Sequence, residues 1–95
     1  VDNDEPPFRI PIEDGIDLHA FAPRDVWSVV DEYLREARAA GFSEVRLIHG
    51  RGKGVQRADI QRRLREHPLV EQFRDAPDSH LGATLVRLRD PHTRS

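Results

Sequence analysis

Apolar and polar positions recur along this chain regularly enough to lay out its elements. In "GIDLHAF", Ile16, Leu18 and Ala20 alternate with Asp17 and His19, the period of two expected of a short strand with one buried face. Val26, Val29, Val30, Tyr33, Leu34, Ala37 and Ala40 then recur at intervals of three and four, which predicts an amphipathic helix over 24–40. Pro23 suits the first helical position, Asp25 complements the positive helix start, and Gly41 stops the helix. "EVRLIHG" places Val45, Leu47 and Ile48 in a second strand with Gly50 at its exit. Ile60 and Leu64 anchor a second helix over 55–66, which must end near His67 because Pro68 follows. "LVEQFRDA" and "ATLVRLR" read as third and fourth strands separated by a turn in "PDSHLG".

The order strand, helix, strand, helix, strand, strand predicts a small two-layer α/β sandwich over 15–90, with two helices on a mixed sheet. Residues 1–14 are acidic and broken by proline, with Phe8, Ile10 and Ile12 alternating, and read as an irregular arm; 91–95 read as a frayed tail.

Composition narrows the function classes. Ninety-five residues fit one compact domain with a modest core. The absence of cysteine excludes disulfides and thiolate metal sites and is compatible with a reducing cytoplasm. No segment has the length and apolarity of a membrane-spanning helix, so no membrane partner is expected. The net charge of −2 hides a polarity: residues 1–36 carry three Arg against ten Asp and Glu, and residues 37–74 carry nine Arg and Lys against four Asp and Glu. Such asymmetry either marks a polyanion-binding face or coats solvated helices.

The basic segment contains "HGRGKG". A glycine turn between strand and helix brings backbone amides to a helix start, where anions are stabilised. Two cofactor loops fail here. Gly50, Gly52 and Gly54 follow G-x-G-x-G rather than the dinucleotide spacing, and Lys53 precedes Gly54 instead of the hydroxyl of a triphosphate loop. What remains is His49, Arg51 and Lys53 on a glycine turn running into a helix with Arg57, Arg62, Arg63 and Arg65. The glycines either cradle a phosphate or merely build a tight turn. Period-two alternation puts Asp17 and His19 on one side of the first strand, and His49 closes the second. Neighbouring strands lie ~4.8 Å apart, so these groups would meet at the carboxyl edge of the sheet. Each histidine alone also fits a structural role, and Asp17 fits an orienting one.

"IDLHAF", "LIHGRGKG", "HPLVEQFRDA" and "LGATLVRL" together resemble the Smr (small MutS-related) domain over about residues 15–89. The family's L-D-x-H is met by Ile16-Asp17-Leu18-His19 and its H-G-x-G by His49-Gly50-Arg51-Gly52. Its glycine-rich hairpin is matched by Gly82, Ala83 and Thr84 in "SHLGAT". The sequence departs from the pattern at Ala20, Ser79 and His80, where glycines are usual, and at Leu81, where tryptophan often sits. The resemblance implies a βαβαββ sandwich like the C-terminal domain of translation initiation factor three. It also implies DNA nicking, RNA cleavage or nucleic-acid binding.

The expected function is therefore an endonuclease-type domain that recognises nucleic-acid structure rather than sequence. Asp17, His19 and His49 would carry the chemistry; Gly50, Arg51, Gly52, Lys53, Gly54 and Arg57 would hold phosphate. Attack by a ribose 2′-hydroxyl on RNA needs no metal, whereas DNA needs an activated water, with or without a divalent ion such as magnesium or manganese. The rival readings are a non-catalytic module for branched or structured nucleic acid, and a small-molecule phosphate or metal-binding protein.

Overall fold

A computed structural model of the chain describes residues 13–50 and 55–90. Most of the expected arm, residues 51–54 of the glycine turn, and the tail lie outside the described residues.

The chain forms β1 (Gly15–Asp17), α1 (Val26–Ala39), β2 (Glu44–Ile48), α2 (Val55–Leu64), β3 (Val70–Asp75) and β4 (Ala83–Leu88). The sheet order is β1-β2-β4-β3, with β1 parallel to β2 and β4 antiparallel to both its neighbours. This is the expected mixed sheet with two helices. Placing β4 between β2 and β3 leaves β1, β2 and β3 running the same way, so their carboxyl ends share one edge.

The apolar pattern explains the layers. Val29, Val30, Tyr33, Leu34 and Ala37 of α1 are fully buried, and with Ile60 and Leu64 of α2 they join Val45, Leu47, Val86 and Leu88 in one core. Alternate residues Glu44, Arg46 and Ile48 remain partly exposed on the sheet's other face. A fully buried Leu or Val contributes about 1.5–3 kcal/mol, so losing the α1 stripe would unfold the domain. Tyr33 reaches past this core and donates its hydroxyl proton to the Glu13 carbonyl; burial pushes its pKa upward.

Gly41 ends α1 as expected. Its φ of +94° is left-handed, and its N–H donates to the Arg38 carbonyl while the Phe42 N–H donates to the Ala37 carbonyl. That double closure satisfies carbonyls that would otherwise be orphaned at the helix end. At the far side, buried His67 clasps α1: its Nε2 donates to Asp31 at 2.7 Å, and its Nδ1 accepts the Leu69 N–H at 3.1 Å.

The expected strand through "GIDLHAF" stops early. Asp17 accepts the His19 N–H at 2.9 Å and becomes the cap of a 3-10 turn over Leu18–Ala20. A short carboxylate that bonds a backbone amide two residues on competes with ladder pairing. Leu18 still enters the core from the turn.

Candidate active site

The residues at the carboxyl edge fall into two groups that meet at Gly50. The first is an exposed dyad. The 3-10 turn folds His19 back so that its Nδ1 lies 2.7 Å from Asp17 Oδ1, both side chains being largely solvent-accessible. A carboxylate only accepts, so Nδ1 carries a proton, and in the neutral ring Nε2 holds the lone pair. The His19 amide, then its ring, hold the Asp17 carboxyl below the usual carboxylate range. Asp17 is therefore ionised at neutral pH and stabilises positive charge developing on the imidazole.

The second group is a buried hydrogen-bond chain on the helix-facing side. His49 is 4% exposed. Its Nδ1 donates to the Gly50 carbonyl at 3.0 Å, and its Nε2 accepts the Thr84 hydroxyl at 2.9 Å. Thr84, fully buried, accepts from Gln61 Nε2 at 3.0 Å, and the same amide donates to Asp75 at 3.0 Å. Asp75 in turn receives Arg57 through two bonds of 2.7 Å. Gln61 donates both ways, to Thr84 and to Asp75, and the Gly50 carbonyl, which can only accept, places the His49 ring proton on Nδ1. Burial pushes the His49 pKa down, more than its bond to the Gly50 carbonyl raises it.

Gly50 joins the groups. Its φ of +81° suits glycine, and a Cβ there would stand 2.5 Å from His19 Nε2. The bare Cα gives the imidazole its place. Gly82 fixes this corner by accepting the N–H groups of His49 at 3.0 Å and Gly50 at 2.9 Å.

Against the sequence expectation, the structure brings Asp17, His19 and Gly50 together and sets His49 behind them. Asp17 pairs with Ile48 in the β1–β2 register and borders the helix-free face with Arg46 and Leu85, whereas His49 turns toward the helices. The pleat separates them: residues one step apart at a strand end face opposite ways. His49 thus presents no ring nitrogen to a ligand. The Gly50 amide, expected to face phosphate, is engaged by Gly82. Arg57 is bound to Asp75 through Nε and Nη2, and Arg62 and Arg63 pair with Asp59. Arg63 also lies over Trp27 and Arg65, just past α2, over Phe73, while these arginines and Arg62 stay exposed to solvent. Arg51, Gly52, Lys53 and Gly54 lie outside the described residues.

Sequence reasoning missed Thr84, Gln61 and Asp75 as partners of His49. One signal was present: Thr84 shares the inward parity of Val86 and Leu88, and a polar side chain at a core position needs a buried partner. Among the described residues no three His, Cys, Asp or Glu side chains converge to hold a metal ion. Asp17 offers one carboxylate, already turned to His19, and this donor set alone does not fit a divalent cation.

Known proteins share this fold. The Smr domain family model matches residues 16–89. Endonuclease MutS2 of Caldicellulosiruptor saccharolyticus is 41% identical over 78 residues, covering 80% of this chain and 10% of the relative. Endonuclease MutS2 of Thermus thermophilus is 42% identical over 76 residues, covering 78% of this chain and again 10% of the relative. The chain thus spans about a tenth of the length of these curated relatives. The crystal structure of the Smr domain of Thermus thermophilus MutS2 superposes with a TM-score of 0.76 at 40% identity, covering 81% of this chain and 99% of that one. YdaL, a stand-alone small MutS-related protein from Escherichia coli, superposes with a TM-score of 0.73 at 26% identity, covering 83% of this chain and 66% of that one. With fold, motifs and match in agreement, this chain belongs to the Smr domain family.

Proposed function

We propose that this domain binds nucleic acid and cleaves a phosphodiester, with the Asp17–His19 dyad as its catalytic element. The observation that carries the reading is His19 itself: exposed, oriented by an ionised carboxylate through Nδ1, with Nε2 facing the bare Cα of Gly50. A positioned imidazole backed by a carboxylate is a general base whose charged form the carboxylate stabilises. The relatives named endonuclease MutS2, of which this chain spans about a tenth, support a cleavage function.

On RNA, His19 Nε2 takes the proton of the ribose 2′-hydroxyl, which attacks phosphorus and expels the 5′ oxygen; the departing oxygen is protonated from solvent. On DNA the same nitrogen activates water. Arg51 and Lys53, which follow Gly50 in the chain, neutralise phosphate charge. Base-independent recognition of strand form rests on this short basic segment, with the exposed Arg62, Arg63 and Arg65 adding to the grip.

The second reading, a non-catalytic module for structured nucleic acid, is favoured by one observation. His49 has both ring nitrogens bonded and supplies no second imidazole to protonate a leaving group. Labelled RNA, single-stranded DNA and branched DNA, each incubated with Mg²⁺, Mn²⁺ or chelator, separate the two. Cleavage by the parent protein that Asp17→Asn weakens supports the dyad; binding of every probe with no product supports the module.

A further inference from the structure

The β3–β4 hairpin closes on a backbone that its own side chains disfavour. His80 and Leu81 have φ of +52° and +69°, and Gly82 N–H donates to the Ser79 carbonyl at 2.9 Å. Two positive φ values inside such a bond mark a type I′ turn, which normally takes Asn or Gly at its centre. A branched side chain in this conformation is an outlier with an energetic cost. The turn is nonetheless pinned: the Ser79 hydroxyl donates to the Ala76 carbonyl at 2.7 Å, and the Gly82 carbonyl holds the His49 and Gly50 amides.

The strain displays a leucine. Leu81 is 52% exposed, one of two large apolar side chains that stand out to solvent among the described residues. It sits next to the residue that fixes Gly50, at the same edge as the dyad. A single leucine is too small an anchor for a protein interface, which needs upward of ~1,000 Å² of complementary surface. In a paired duplex the flat apolar faces of the bases are hidden by stacking. An unpaired nucleotide offers such a face.

We infer that the Ser79–Gly82 turn reads the substrate, with Leu81 packing on an unpaired nucleobase beside the linkage held at the Asp17–His19 edge. This rests on the proposed nucleic-acid function and adds a substrate class to it: strands with bulged, looped or unpaired bases. Backbone strain retained at an exposed position flanking a site is the pattern expected when the displayed side chain makes a contact.

The experiment measures affinity for a duplex with one bulged base, the same duplex with an abasic bulge, and a fully paired duplex. The parent protein should prefer the bulged base by about five- to tenfold, the size expected from burying the exposed half of one leucine. Leu81→Gly should abolish that preference while raising Tm by about 5 °C through relief of strain. His80→Gly should also raise Tm yet keep the preference, which separates loss of the side chain from relaxation of the turn. A Leu81→Gly protein that still prefers the bulge, or a parent that binds all three probes equally, would overturn this inference and leave the nuclease reading standing. A parent that binds none of them would overturn both.

Discussion

His19 occupies the space that a side chain on Gly50 would need: a Cβ there would stand 2.5 Å from Nε2. The two family motifs, thirty residues apart in order, are thus coupled by one missing atom. Gly50→Ala should displace the imidazole and strain a backbone at φ +81°. We expect stability to fall by about 1–2 kcal/mol in urea unfolding and cleavage to drop at least tenfold. A Gly50→Ala protein with parental activity would show that His19 is not held by this contact.

Thr84 anchors the buried chain. Thr84→Val keeps shape but strands His49 Nε2 and one Gln61 donor, so it should cost about 1–3 kcal/mol. Thr84→Ser retains the hydroxyl and should recover most of that loss. Equal unfolding midpoints for the valine and serine variants would mean the hydroxyl is not what the fold uses.

Acid sensitivity should begin with His49. Burial lowers its folded pKa below the ordinary value of 6.5, so below that pH the unfolded chain binds the extra proton first. Stability from this group is complete above about pH 6.5 and declines as pH falls toward the folded pKa. A second decline follows below about pH 4, where Asp75, held low first by its bonds from Arg57, and Asp17 take up protons. Unfolding midpoints between pH 7 and pH 3 should show both stages, and His49→Gln should lack the earlier one. An unchanged early stage in that variant would assign it elsewhere.

Arg57 serves the fold more than the ligand. Its Nε and Nη2 are both turned to the Asp75 carboxylate, which already balances its charge. Arg57→Ala should lower the unfolding midpoint and leave the slope of log affinity against log salt unchanged. A slope reduced by about 0.9 would mean one phosphate contact had been lost, returning Arg57 to the grip.

How far the chain could be read varies with the range of the interactions. The α1 stripe and the Gly41 stop were legible because both depend on near neighbours, and so were strands whose alternation survives in the sheet. Asp17 broke the first strand because its carboxylate competes for a backbone amide, a local effect that alternation alone does not register. The pairing of Asp17 with His19 was legible, although the turn rather than the pleat brings it about. His49 looked like a catalyst because sequence shows its type and place, not its burial under Thr84. The long-range chain through Gln61 and Asp75 depends on α2 crossing the sheet edge. Its trace in the sequence was Thr84, a polar residue at an inward position of β4.

The central claim is that His19, oriented by Asp17, takes the proton from the attacking oxygen. Single-turnover cleavage of labelled bulged RNA and DNA by the parent and by His19→Ala, with affinity measured on the same samples, tests it most directly. The account predicts a rate at least a hundredfold lower for His19→Ala with affinity unchanged. Cleavage at the parental rate by His19→Ala would contradict it.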